Sequence, residues 1–152
     1  LNHSELNIIN ETSAVVDESL LKACAEAVFA GEGTGQGNEV NLLICDDEAI
    51  RKYNRQYRGD DSVTDVLCFP WPDTLPADGA AESAEVCDII IDIKQIDRQK
   101  GKKTKNQELM EVFIHGLLHA CGYDHIRQPD QIAMSEKEIY YKRLMEGTLT
   151  RG

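Results

Sequence analysis

The chain has 152 residues, 41% hydrophobic and 28% charged, with 11 Gly and 4 Pro. That length suits one core, so a single domain over 1–152 is expected, and the apolar fraction excludes a disordered or low-complexity chain. No apolar run nears the roughly 20 residues of a membrane helix, and a net charge of −11 argues, by itself, against a phosphate-rich partner.

Residues 6–10 (LNIIN) read as a short strand. Asp17 then caps a helix whose apolar residues Leu20, Leu21, Cys24, Ala25, Val28 and Phe29 share one face. The stretch 31–38 (GEGTGQGN) is a turn-rich break, followed by a strand over 40–45 (VNLLIC). Asp46, Asp47 and Glu48 supply the acidic first turn of a helix running to about Tyr57. A strand over 64–69 (TDVLCF) is expected to stop at Pro70 and Pro72.

A polar loop over 73–84 leads to 86–93 (VCDIIIDI), a β-branched strand interrupted by Asp88 and Asp92. Beyond it come a basic helical segment, a helix over about 106–121 broken at Gly122, and a last helix over roughly 130–145. The order β-α-β-α-β-β-α-α-α predicts an α/β (α+β) domain, a small mixed four-stranded sheet with helices packed on it.

The five cysteines are odd in number and show no CxxC spacing. Neither a disulfide framework nor a cysteine zinc site is expected, and a reducing, cytoplasmic compartment fits better. The opening LNHSELNIINET has no basic segment followed by an apolar one, so no signal peptide is expected, and without an initiator Met the true start stays open.

Three of the four histidines fall within HGLLHACGYDH, at His115, His119 and His125. Residues four apart share a helix face, so His115 and His119 can converge on one ion. Gly122 can end the helix and fold the chain back, bringing His125 round as a third ligand. A three-histidine site with an open fourth position is what catalytic zinc uses to bind and acidify water, although imidazole also suits Ni, Cu and Fe. The spacing matches a zincin-like metal helix. Peptidases of that kind place a Glu directly after the first His as general base, and this chain has Gly116. Glu111 and Asp124 are the nearest acids, the first a candidate outer partner of a ligand and the second a brace for a ligand or the turn.

HGLLHACGYDH resembles the signature of the YbeY family, bacterial metal-dependent endoribonucleases of ribosomal RNA maturation. NRQYRGDDSVTDVLCFP and the DIIIDI strand are similar to that family as well, so the likeness covers most of 54–125. The departures are Cys68, where the family usually has Ser, Cys87, where Gly is common, and Ala120, where Leu is common. The resemblance implies His115, His119 and His125 as zinc ligands, with His115 and Arg58 in the catalytic centre. A guanidinium can hold the charge that builds on phosphate oxygens during phosphodiester cleavage, with either water or the ribose 2′-OH as nucleophile. The bland alternative for Arg58 is a solvent-facing helix end.

The net charge hides segregation. Segments 51–58 (RKYNRQYR) and 94–105 (KQIDRQKGKKTK) hold ten of the sixteen Lys and Arg and one acid. Arg51, Arg55 and Arg58 share a helix face, with Tyr53 and Tyr57 as possible stacking rings, and Lys94, Arg98, Lys100, Lys102, Lys103 and Lys105 precede the metal helix. If both runs flank the cleft, Arg51, Arg55, Arg58, Arg98, Lys102, Lys103 and Lys105 form a positive groove for single-stranded RNA. Asp65 and Asp88 are expected in structural roles, Asp65 ordering the loop that holds Arg58 and Asp88 bonding the metal helix. Trp71 is expected as a loop anchor, and His3 is assigned nothing.

The expected function is a single-strand-specific, zinc-dependent endoribonuclease of rRNA (16S 3′ end) maturation and ribosome quality control, with the small ribosomal subunit or its proteins as partner. The rivals are a metal-stabilised ribosome-assembly factor without catalysis and, disfavoured by Gly116, a metallopeptidase.

Overall fold

The computed structural model describes residues 5–33, 39–71, 86–123 and 128–151. Its elements are β1 (Glu5–Asn10), α1 (Glu18–Glu32), β2 (Glu39–Cys45), α2 (Asp47–Arg58), β3 (Val66–Trp71), β4 (Val86–Asp92), α3 (Ile93–Gln99), α4 (Lys105–Ala120) and α5 (Gln128–Arg151). The strands form one mixed sheet in the order β1-β2-β4-β3. β1, β2 and β4 are parallel, and β3 runs antiparallel to β4 with Cys68 opposite Ile89. The mixed four-stranded sheet expected from the element order is the one observed.

Alternation along the strands sends residues to two sheet faces. Val40, Leu42, Ile44, Cys87, Ile89 and Ile91 join α1, α4 and α5 in the main core. Cys45, Ile50, Leu67 and Ile90 form a smaller cluster under α2. β4 is an inner strand, with Cys87, Ile89 and Ile91 buried on the α4 face and Ile90 buried beside Asp88 and Asp92 on the other.

Local chemistry sets the helix ends. The Asp17 carboxylate accepts from Leu20 N and that of Asp46 from Ala49 N, each satisfying an N–H that has no intrahelical partner. Thr104 and Gln107 form a reciprocal capping box that fixes where α4 begins. Asp92 ends β4 and caps α3 by accepting from Lys94 N at 3.0 Å, so it closes the strand rather than interrupting it.

Three elements differ in extent from expectation. α1 continues through Gly31 to Gly33, because Gly31 lies where a Cβ would run into the buried Tyr141 hydroxyl; the glycine serves helix packing, not a turn. β3 passes through Pro70, which an edge strand tolerates because its outer side needs no ladder donor. α5 extends beyond both expected ends. The loop expected over 73–84 lies outside the described residues, as do His3, Asp124 and His125, and the Trp71 side chain is likewise not described.

Candidate active site

α4 packs against the sheet closely at one point. A Cβ on Gly116 would sit 3.2 Å from Ile89 Cγ2 and 3.5 Å from Val66 Cγ2. The position that carries a general base in peptidases therefore faces strand side chains, where any side chain would have to displace Ile89. Packing gives the Gly116 substitution its physical reason, and a peptidase base is absent from that point of the helix.

His115 and His119 lie one turn apart on α4 with ring centroids 4.7 Å apart and planes at 81°. Their Nε2 atoms are 3.2 Å apart. Nδ1 of His119 lies 2.9 Å from the carbonyl oxygen of Tyr123, and Nδ1 of His115 lies 3.1 Å from Oε2 of Glu138. A carbonyl only accepts, so His119 Nδ1 carries a proton, and an ionised Glu138 assigns the same tautomer to His115. In neutral rings with these tautomers both Nε2 lone pairs face one another, an arrangement able to share a cation. Two nitrogens at about 2.0–2.1 Å from a tetrahedral ion stand about 3.3–3.4 Å apart, close to the spacing seen. The donor set fits zinc or another divalent ion that favours imidazole. Among the described residues the cage consists of these two histidines, and His125 lies outside them.

The turn after α4 orients His119. Gly122 has φ +101°, a conformation that side chains resist, and it returns the chain so that Tyr123 presents its carbonyl to the ring. The Tyr123 hydroxyl donates to Glu32 at 2.7 Å, and that of Tyr141 donates to the same carboxylate at 2.5 Å. Burial opposes the Glu32 charge, but hydrogen bonds from Tyr141 and Tyr123, with Lys137 nearby, outweigh it and hold the carboxyl below its usual range. Burial and the same hydrogen bond push the Tyr123 phenol up to about 12. The end of α1 thus braces the turn that orients His119.

The histidines open onto a cleft of about 370 Å³ lined by Arg58, Thr64, Asp65, Val66, Cys68, His115, Gly116 and His119. Arg58 ends α2, and its guanidinium stands 5.9 Å from the centroid of the Phe69 ring. It makes no ion pair among the described residues. Buried Asn54 pins the following turn by donating to Ser62 O at 3.1 Å and accepting from Asp60 N. The cleft therefore pairs two imidazole nitrogens with an uncommitted cation, an arrangement able to hold a phosphodiester.

The other cations are arranged differently. Arg51 and Arg55 pair with Asp61 and line a separate groove with Asp46, Asp47 and Glu48. Arg98 forks onto Asp47, and Lys103 reaches Glu108 at 2.5 Å and Glu111 at 3.2 Å. Lys102 is exposed and has no ion pair among the described residues. Local acids thus engage four of the seven cations expected to make a continuous positive groove. Tyr57 stacks on Tyr53 and tilts onto Phe69, with half its surface exposed.

The acids also fall elsewhere than expected. Glu111 binds Lys103 and Lys142, and Glu138 takes the place beside His115. Asp65 ties its loop to α3 through Gln99, which also bonds Glu108. Asp88 extends a ladder with Asn41 and Asn7 on the sheet face opposite α4. Glu138, Glu32 and Asn54 were missed in the sequence. A signal for Glu138 exists: it is an acid on the helix stripe of Met134, Tyr141 and Met145, all buried.

A family profile described as Endoribonuclease YbeY matches residues 5–145. Endoribonuclease YbeY of Pelotomaculum thermopropionicum is 38% identical over 128 residues, covering 81% of this chain and 84% of that protein. The Bacillus cytotoxicus protein of the same name is 32% identical over 146 residues, covering 91% of this chain and 90% of its own length. The solution structure of TM1509 from Thermotoga maritima superposes with a TM-score of 0.63 at 26% identity, covering 96% of this chain and 92% of that one. Fold and profile define an RNA-cleaving hydrolase class. The chain belongs to the YbeY endoribonuclease family.

Proposed function

We propose that the chain is a zinc-dependent, single-strand-specific endoribonuclease that acts in the cytoplasm on ribosomal RNA, at the 3′ end of 16S RNA and in ribosome quality control. The small ribosomal subunit or its proteins would deliver the substrate. The observation that carries the metal-dependent reading is the pair of Nε2 atoms 3.2 Å apart, each ring held from behind by an acceptor, on a cleft shared with Arg58. The choice of ribosomal RNA rests on the family resemblance.

His115 and His119, with His125 as third ligand, would hold the ion. When bound, it supplies Lewis acidity at the scissile phosphate and its nucleophile. Arg58 donates hydrogen bonds to the non-bridging oxygens as their charge grows, and its stand over Phe69 limits the orientations it must search. Glu138 and the Tyr123 carbonyl keep the two Nδ1 protons in place, leaving both Nε2 atoms as donors to the ion. Among the described residues the cleft of about 370 Å³ is lined by Arg58, Cys68, His115 and His119, a volume that suits a segment of unpaired strand.

The test is cleavage of a single-stranded RNA by the metal-loaded chain, with and without chelator, alongside H115A and R58A. Cleavage lost with chelator and in H115A, with the fold retained, supports the enzyme. R58A is expected to bind the ion normally and to cleave roughly 10²–10³-fold more slowly. A chain that cleaves equally well after metal removal, or an H115A variant that unfolds while wild type shows no turnover, overturns the reading in favour of a metal-stabilised assembly factor.

A further inference from the structure

The sheet carries two thiols that the proposed chemistry does not use. Cys68 on β3 and Cys87 on β4 lie on the same face, on a diagonal of the antiparallel pair, since Cys68 is opposite Ile89 and Cys87 opposite Pro70. Their Sγ atoms are 3.5 Å apart. Cys68 Sγ also lies 3.5 Å from the carbonyl oxygen of Gly116, the residue after His115. Cys68 lines the cleft, whereas Cys87 is buried at 7% exposure behind it. One sulfur is thus open to small solutes and the second waits within van der Waals reach of the first.

We infer that Cys68 and Cys87 form an oxidant-sensitive dithiol at the floor of the cleft, modified by hydroperoxides to a disulfide. Cys68 sulfur attacks the terminal peroxide oxygen, the O–O bond breaks, and the peroxide leaves as alcohol or water, with a sulfenic acid on Cys68. Cys87 sulfur then attacks Cys68 sulfur, the S–O bond breaks and water departs. The two thiols lose two electrons and two protons together, and the peroxide takes up both. A disulfide spans about 2.05 Å, so the sulfurs close by about 1.5 Å; diagonal neighbours of a strand pair stand about 7–8 Å apart, beyond the usual disulfide span, so closure also requires edge strand β3 to shift along β4. Closure draws Cys68 Sγ from the Gly116 carbonyl and changes the packing between β3 and the metal helix. Cys24 and Cys45 are fully buried and are shielded from the oxidant, while Cys121 is half-buried and serves as an internal control.

The experiment treats the reduced full chain with graded hydrogen peroxide, blocks remaining thiols by alkylation, and maps peptides by mass without reduction. The expected result is a peptide linked through Cys68 and Cys87, lighter by two hydrogen atoms than its parts, that dithiothreitol releases. In C87A the sulfenic acid on Cys68 has no resolving thiol, and dimedone is expected to label it. Peptide mapping of wild type stands alone should C87A fail to fold. Cys68 and Cys87 both still alkylated at peroxide levels that oxidise Cys121 would overturn the inference. Overoxidation of Cys68 to the sulfinic acid in wild type with no linked peptide would overturn it equally.

Discussion

Glu138 on α5 stands 3.1 Å from Nδ1 of His115 on α4, an acid 23 residues downstream that holds the ring whose Nε2 faces His119. Removing such an outer partner typically costs 10–100-fold in metal affinity. E138A is therefore expected to bind zinc roughly 10–100-fold more weakly than wild type, with helix content unchanged. E138Q keeps an acceptor oxygen and should fall between the two. Chelator competition measures all three, and equal affinities would remove Glu138 from the site.

Lys102 and Lys103 are neighbours with different commitments. Lys103 sits against Glu108, which is 7% exposed, and against Glu111, so K103E would crowd three acids at the start of α4. The expected outcome is a lower melting temperature, by about 2–4 °C per kcal/mol lost for a chain of this size. Lys102 has no such partner among the described residues, and K102A should leave melting unchanged. If Lys102 meets phosphate, K102A lowers the slope of RNA affinity against salt by about 0.7. Binding isotherms at several salt concentrations, read beside thermal melts, separate the two roles.

Asp92 and Asp47 form a carboxylate pair with opposite tendencies. Burial, then hydrogen bonding with Asp47, raises Asp92 from 3.8 to about 7. The Arg98 hydrogen bond, then that with Asp92, holds Asp47 well below the usual carboxylate range. A raised folded-state pKa contributes stability that is complete below the unfolded value and lost as pH climbs to the folded one. Asp92 therefore makes the chain less stable as pH rises from about 4 to 7, while Asp47 contributes stability above 3.8 that is lost in stronger acid. D92N still caps α3 and cannot ionise, so its stability should fall less than that of wild type between pH 5 and pH 8. Denaturant midpoints at both pH values test this, and parallel losses would contradict it.

Much of the fold was legible because it depends on local periodicity and caps. The apolar stripe from Leu20 to Phe29, the Asp17 cap and the alternating strands place α1, β2 and β4 within a residue or two. The misplaced ends, at Gly31 and Pro70, are positions where tertiary placement overrides local preference: Tyr141 against Gly31, and, among the described residues, an edge-strand position for Pro70. The four-residue spacing of His115 and His119 likewise announced a shared face, since helix geometry alone brings such rings together.

The partners of these residues were invisible locally. Which acid faces His115, which cations stay unpaired and why Gly116 has no side chain depend on how α4, α5 and the sheet meet, across separations no short pattern encodes. Sequence by itself determined the residue types and helical phase of the two imidazoles, because both follow from neighbours in the chain. Tertiary structure alone decided their tautomers, through Glu138 and Tyr123, and the pairing of the basic runs, because hydrogen bonds and charges act between atoms close in space however far apart they are in order.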